Sequence, residues 1–590
     1  MTIFHFLLKT AASIWKVKYY TCPQLQRYNI RLMYVMLFLS LAGLSIGYSQ
    51  GGGAYSFRSP VRYPLVLAGS FGELRASHFH GGIDIKPLKS GIEGDTIVSI
   101  GDGYISRIKV QNDGYGKSLV INHHGGLSSV YAHLKNFDSK VDSLVIEAQL
   151  KAQNYEVEII PNKEKFKISS GQYIGNMGNT GYSYGPHLHL EIIETETGKK
   201  LNPKLFGIRP KDNISPTFEQ ISIIGLNEEY RIISRKNYKT VKNKNGKYSS
   251  IAVSVPSTQA AVSVSCFDRM SGATNKNGIF ELEMWVDGEL YYKSKKDKIN
   301  PEDNEKYKFF VDYSFYKQEH KNIIQCFCLP SAKCSIVNHL KNNGIIELDK
   351  NKAKEVTIIA RDLDLNESKI QLKIIGVRES SPNQMGSYTA KISPNQGDTL
   401  LQFHDLKLHW PKGAYCLDLF LSLDTIGKNR YSIMPYDIAL LSKPIIEIKI
   451  PDEWLEHKDK ICIVNSSNIV TEEQVIIKNI AKTPIRELGN YELIIDTIPP
   501  KIKPINAKLR VSGDTPLKFK IEDNVKSYFV SDRLSIQTFI NNEFVPAEYK
   551  DMNKTLYIPT ESLANGTHHL MIIATDHKKN VSTYQATFTK

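Results

Sequence analysis

Pro186-His187-Leu188-His189-Leu190-Glu191 closes a glycine- and tyrosine-rich stretch, Gly178-Asn179-Thr180-Gly181-Tyr182-Ser183-Tyr184-Gly185, and its reading decides the fold. Residues two apart on a strand point to the same face, so His187 and His189 can enter one cleft. Far upstream, His80-Gly81-Gly82-Ile83-Asp84 supplies a further imidazole and a carboxylate. Two histidines and a carboxylate form a ligand set that leaves the fourth tetrahedral position of zinc open, as catalytic rather than structural sites do. His80, Asp84 and His189 are the candidate ligands, and His187, on the face of His189, stands near that fourth position to take or return a proton. A second histidine for proton handling comes from Val130-Tyr131-Ala132-His133-Leu134. The chemistry so specified is hydrolysis.

Around these residues the chain from Tyr55 to Phe206 alternates turn signals with short β-branched runs such as Thr96-Ile97-Val98-Ser99-Ile100 and Ser118-Leu119-Val120-Ile121. Their length and composition favour strands. An antiparallel β catalytic domain over 50–210 is expected, interrupted at 138–167 by a Lys/Glu-rich insertion read as a loop or added hairpin. At 590 residues the chain exceeds a single core, and about 150 residues per domain suggests roughly four domains. Linkers at Pro210-Lys211-Asp212-Asn213-Ile214-Ser215-Pro216, Ser380-Ser381-Pro382-Asn383 and Asp496-Thr497-Ile498-Pro499-Pro500 divide the remainder into 211–379, 380–495 and 496–590. Alternating residues around Asp287-Gly288 and into Asn541-Asn542 predict hairpins. Ile358-Ile359-Ala360-Arg361-Asp362 recurs as Ile572-Ile573-Ala574-Thr575-Asp576. The pieces 211–379 and 496–590 read as β-sandwiches and 380–495 as β-rich, and the Asp-x-x-Pro-Pro opening at Asp496 resembles the start of immunoglobulin-like domains. The fold class is therefore mainly β, a small catalytic domain followed by three β-domains.

The apolar run Val35–Ile46 follows Lys9, Lys16, Lys18, Arg27 and Arg31 with no acidic residue and ends in Gly47-Tyr48-Ser49, the pattern of a secretory signal over 1–49. The alternative is an uncleaved membrane anchor; both place the rest of the chain across the membrane, in the periplasm or cell envelope. Loss of that leader removes five of the positive charges and leaves +9 of the formal +14. Such a basic excess suits a polyanionic envelope, or a solvated lysine-rich surface, and no nucleic-acid motif accompanies it. Six cysteines, from Cys266 to Cys462, follow the leader; they show no Cys-x-x-Cys pair, and export would permit disulfides without the fold needing them.

Four stretches in order, His80-Gly81-Gly82-Ile83-Asp84-Ile85, Tyr131-Ala132-His133-Leu134, Gly171-Gln172-Tyr173-Ile174-Gly175 and Gly178 through Glu191, resemble the lysostaphin-like, LytM-type zinc endopeptidases that cut peptide cross-links in bacterial peptidoglycan. The resemblance covers roughly residues 60–205 and implies a small antiparallel fold of the duplicated hybrid-motif kind. It implies zinc on His80, Asp84 and His189, with His133 and His187 as catalytic histidines. It also implies a groove whose walls, including Asn179, Tyr182 and Tyr184, contact a stem peptide. The chain departs from the pattern at Phe71-Gly72-Glu73-Leu74-Arg75, which lacks the tyrosine some members carry there; oxyanion stabilisation then falls to zinc, His133 and His187. Among neighbouring histidines, His78 competes with His80 as a ligand, and the His-x-x-x-Asp spacing favours His80. His123 reads as structural or as support for the site. Asp102 and Glu191 read as structural, and Gly82, Gly181 and Gly185 as positions where loops pass close to the metal.

By this resemblance the protein is an exported zinc endopeptidase of peptidoglycan cross-links, with direct D-amino-acid linkages, and hence D,D-endopeptidase action, as the expected specificity. The rival is a non-catalytic envelope protein that regulates other wall hydrolases or binds the wall through its β-domains. Silent relatives lack members of the five-residue set, all of which stand here. A contact between the β-domains and the groove would make the enzyme autoinhibited.

Overall fold

Short β-branched runs punctuated by glycine become strands throughout the catalytic region. The structure is a computed structural model that describes residues 56–377, 387–505 and 510–590, apart from 512, 514 and 528–532. The leader expected at 1–49 and the linker at Ser380-Ser381-Pro382-Asn383 lie outside the described residues.

In chain order the catalytic region contains β1 (Leu67–Gly69), β2 (Ile83–Ile85), β3 (Thr96–Val98), β4 (Gly103–Val110), β5 (Ser118–His123), β6 (Leu127–Ala132) and β7 (Leu134–Phe137). Helix α1 (Ser139–Ala152) follows, then β8 (Val157–Ile159), β9 (Lys167–Ile168), β10 (Tyr173–Met177), β11 (Leu188–Glu194) and β12 (Lys200–Leu201). The main sheet runs β1-β2-β11-β6-β5-β4-β8, with β9 on β4 and β12 on β11; a second sheet is β3-β10-β7. All pairs in both are antiparallel. Leu188, Leu190 and Ile192 of β11 point into a core with Ile83, Ile85 and Tyr131, all fully buried. The alternate face of β11 is thereby free to carry polar residues toward the cleft.

The insertion at 138–167 is not a loop or hairpin along its first half. It forms α1, capped by the Asp138 carboxylate accepting from Lys140 N, with Val141, Val145 and Gln149 on its buried face and Gln153 closing it in the left-handed conformation. The i, i+4, i+8 spacing of those three residues carried the helix signal, masked by the surrounding lysines and glutamates.

The expected hairpins form. Val286 pairs with Glu289 across Asp287 and Gly288, at φ 49° and 83°. Ile540 pairs with Glu543 across Asn541 and Asn542, at φ 54° and 71°. Such positive-φ pairs match the twist of the flanking strands. Among the described residues beyond 210 the strands build a five- and a six-stranded sheet, then two five-stranded sheets, a two-stranded parallel pair of Ile469–Val470 with Lys526–Ser527, and two four-stranded sheets. One hydrophobic core runs unbroken from Phe57 to Ile374; separate cores occupy Ile392–Leu493 and Val511–Phe588. All six cysteines from Cys266 onward are free thiols.

Two sets of contacts tie the catalytic region to later parts of the chain. Strand β12 pairs with Lys298–Ile299 of the next β-domain, extending the catalytic sheet into it. From the far end of the chain, Lys550 Nζ donates to Asn179 O at 2.6 Å, Tyr549 N donates to Asn112 Oδ1 at 2.9 Å, and Arg533 pairs with Asp113 at 2.5 Å.

Candidate active site

Strand register assembles the site. His189 on β11 lies directly opposite Asp84 on β2 and, across its other edge, opposite Ala132 on β6. Residues facing each other across antiparallel strands present side chains on one face, so His189 and Asp84 share the cleft. The chain turns sharply after Ala132, with His133 at φ 61°, which throws that imidazole over the same face. His187 precedes β11 and bridges to Gly178. His80 sits at the end of the loop before β2, its backbone tied to Glu73 and Gly72.

His80, Asp84 and His189 are buried to 5%, 7% and 6% exposure and bring one potential ligand atom each within 4.8 Å of the others. His80 Nε2 is 3.0 Å from Asp84 Oδ1 and 3.0 Å from His189 Nδ1, which is itself 2.8 Å from Asp84 Oδ1. The other ring nitrogens are already engaged. His80 Nδ1 donates to the Ser70 carbonyl at 2.8 Å, and His189 Nε2 donates to Glu191 Oε1 at 3.0 Å. Those partners assign the tautomers that direct His80 Nε2 and His189 Nδ1 inward as lone pairs. Three lone-pair donors, one on an ionised carboxylate, converging in a buried space repel one another unless a cation lies between them. The residues therefore fit a divalent metal of the zinc class, and the two histidines carry the outer partners that orient metal-ligating imidazoles.

The electrostatics agree. Against the cost of burial, the imidazoles beside Asp84 hold its carboxyl well below the usual carboxylate range. Burial lowers the proton affinity of His189, but its bonds to Asp84 and Glu191 outweigh that and push it up to about 9 in the absence of a metal. The position thus demands positive charge, from a proton or an ion. Glu191 is fully buried and held ionised by Lys200 and His189; Lys200 Nζ and the Tyr115 hydroxyl each reach its Oε1 at 2.7 Å. Tyr115 also stacks on His189 with ring centroids 5.5 Å apart. On the opposite side, Arg75 Nη2 donates to Asp84 Oδ2 at 2.7 Å and leaves Oδ1 for the centre.

His133 and His187 face each other beside this cluster, centroids 4.7 Å apart. His133 Nδ1 donates to Thr180 O at 2.8 Å, and His187 Nδ1 donates to Gly185 O at 2.8 Å. Both Nε2 atoms are left as acceptors, and His187 Nε2 is 3.6 Å from Asp84 Oδ1. Burial first, then the neighbouring histidines, lowers His133 to about 3, and burial likewise lowers His187. Both are neutral proton acceptors at neutral pH.

The remaining expectations sort by position. Tyr182 and Tyr184 are 55% and 85% exposed and touch edge to face, hydroxyls 3.2 Å apart. Asn179 is half-buried, with Oδ1 unpaired and its carbonyl on Lys550. His78 is exposed and outside the cluster. His123 lies apart from the ligands, bonded to Asp102 O and Ser129 Oγ as a structural residue. A Cβ on Gly82 would lie 2.3 Å from Leu190 O, and one on Gly181, at φ 71°, 2.3 Å from Gly116 N, so both glycines permit close chain crossings; Gly185 faces open space. Sequence reading missed Tyr115 and Lys200 and gave Glu191 a purely structural role. Glu191 was in reach: it follows His189 by two positions on one strand, hence on the same face.

Residues 78–154 match the model of Peptidase family M23. That stretch contains His80, Asp84 and His133 and ends just beyond α1. The DD-carboxypeptidase/endopeptidase Mpg of Neisseria meningitidis serogroup B is 30% identical over 130 residues, which span 22% of this chain and 23% of that protein. An uncharacterized metalloprotease of Buchnera aphidicola is 32% identical over 126 residues, spanning 21% of this chain and 25% of the relative. The catalytic domain of lysostaphin from Staphylococcus simulans aligns at 21% identity and a TM-score of 0.18, covering 24% of this chain and 91% of that one. Residues 78–154 accordingly belong to a peptidase domain of family M23, and His187 and His189 complete the cleft from beyond that stretch.

Proposed function

We propose that this protein is an exported zinc endopeptidase that cleaves peptide cross-links of bacterial peptidoglycan, acting as a D,D-endopeptidase in wall remodelling. The observation that carries the reading is the convergence of His80 Nε2, Asp84 Oδ1 and His189 Nδ1 on one buried point with two neutral histidines beside it. Zinc held there would act as a Lewis acid on the scissile carbonyl and on water.

The protein's own groups do the rest. His187 Nε2, a lone pair fixed by the Nδ1 bond to Gly185 O, accepts a proton from the attacking water and returns it to the leaving amine. His133 Nε2, a lone pair fixed by the Nδ1 bond to Thr180 O, faces the same space and accepts a hydrogen bond from the attacking water, orienting it beside His187. Tyr182 and Tyr184 offer exposed apolar faces to an extended peptide. The bond type is supported by the name of the Neisseria relative, a DD-carboxypeptidase/endopeptidase.

The test is digestion of purified muropeptides of defined linkage by the zinc-loaded protein, with mass analysis of products. Release of monomers from D,D-linked dimers is expected, and its loss in His80→Ala. Cleavage retained in His80→Ala would overturn the ligand assignment; cleavage restricted to another linkage would overturn the specificity.

A further inference from the structure

Two further clusters of metal-ligating side chains, sharing no residue with the catalytic centre, stand one at the joint after residue 210 and one at the joint after residue 495. At the first, Asp212, Asp268 and Asp362 bring a carboxylate oxygen each within 4.8 Å of the others; at the second, a carboxylate oxygen of Asp496, one of Asp523 and a ring nitrogen of His577 lie as close, with Asp576 alongside. The two are built alike. Asp212 and Asp496 each open an Asp-x-x-x-Pro linker and accept from the amide two residues on, Ile214 N at 3.1 Å and Ile498 N at 3.4 Å. Asp268 and Asp523 each follow directly on a strand, Gln259–Phe267 and Leu517–Glu522. Asp362 and Asp576 each end the repeated Ile-Ile-Ala-x-Asp segment and are locked by an asparagine four residues on. Asn366 and Asn580 donate both their backbone N and their Nδ2 to that carboxylate, and their Nδ2 also to the linker carbonyl of Asp212 or Asp496.

The repetition extends to what is left unbonded. Asp212 Oδ2 and Asp268 Oδ1 are buried without a hydrogen-bond partner, and so are the equivalent atoms Asp496 Oδ2 and Asp523 Oδ1. Asp268 and Asp496 are 2% and 0% exposed, so these are carboxylates removed from water and aimed into their clusters. Among the described residues no lysine or arginine pairs with Asp212, Asp268, Asp362, Asp496 or Asp523, and His577 Nδ1 stands 3.9 Å from Asp496 Oδ2. Lys204 favours ionisation at the first cluster only from a distance. Burial and the adjacent carboxylates push Asp268 and Asp523 each up to about 7. Buried unpaired carboxylates are costly unless a cation compensates them.

We propose that each joint is a binding site for a hard divalent cation, Ca2+, held by Asp212, Asp268 and Asp362 at the first and by Asp496 and Asp523, with Asp576 and His577 beside them, at the second. Carboxylate oxygens in irregular loops suit the flexible oxygen coordination of calcium better than the strict octahedron of magnesium. The second site opens into a cavity of about 330 Å³ lined by Asp523, Asp576 and His577, which gives an ion a way in. Each ion would tie a linker aspartate to the β-domain that follows, fixing the domain's angle to the one before it.

Equilibrium dialysis of the zinc-loaded full chain against radiolabelled calcium tests this. Two calcium ions per chain are expected, one in Asp268→Asn, one in Asp523→Asn and none in the double variant, with zinc content unchanged. No binding to the wild type at millimolar calcium, full binding by the folded double variant, or uptake of magnesium or zinc but not calcium would overturn the proposal. Should a variant fail to fold, the wild type decides: its thermal midpoint rises on adding calcium if the sites exist, and an unmoved midpoint overturns them.

Discussion

His189 lies between two carboxylates that do different work: Asp84 completes the ligand set, whereas Glu191 fixes which ring nitrogen faces it. Replacing Glu191 by alanine frees the imidazole to rotate and leaves Lys200 without its counter-ion. Zinc affinity is expected to fall by about 10- to 100-fold, read by competition with a chelating dye, and by more than in Tyr115→Phe, which removes one hydroxyl donor. His187→Ala keeps every ligand, so zinc content should hold while kcat falls by about 10²- to 10⁴-fold, the range for loss of a positioned proton-transfer group. The pH dependence follows from the lowered affinities of His133 and His187. A base that must be neutral works above its own pKa, and these lie below the ordinary histidine value of 6.5. Activity should therefore persist as pH falls through 6.5 and fail only at more acid values; a kcat/KM profile whose acid limb turns at 6.5 or above would contradict this.

At the scale of elements, His189 and Asp84 were brought together by their ligand types and by the resemblance to a known family, and the register of β11 against β2 places them face to face. Helix α1 was not legible, because its buried stripe is only Val141, Val145 and Gln149 within a charged run, and a stripe that narrow is resolved only by the surface it packs on. Nor was Lys200 readable as part of the site, since it reaches Glu191 through edge-strand geometry that no spacing rule encodes. The cap of α1 offers a local test. Asp138→Ala should cost about 1 kcal/mol, seen as faster amide exchange confined to 139–152 while β11 amides keep their protection.

Across the whole molecule, the last β-domain grips the main chain of the loop that leads to His187 through Lys550 and Asn179, and flanks it through Arg533 and Asp113. We expect this grip to narrow access for bulky substrates. Lys550→Ala combined with Arg533→Ala should raise the rate on intact sacculi severalfold and leave the rate on a short soluble peptide unchanged; equal rates on both would remove the domain from the access path. The β-rich character of the chain beyond residue 210 was readable from turn signals and the repeated Ile-Ile-Ala-x-Asp segment, but which part of it touches the loop before His187 depends on packing between distant surfaces.

The short pairing of β12 with Lys298–Ile299, beside a core that continues from Phe57 to Ile374, has a practical consequence. Lys200, the counter-ion of Glu191, belongs to that same β12 strand. Excising the peptidase as residues 50–210 would bare a sheet edge and half of a shared interior, and would loosen the lysine that steadies a metal ligand. The smallest transplantable module is the peptidase together with its first β-domain.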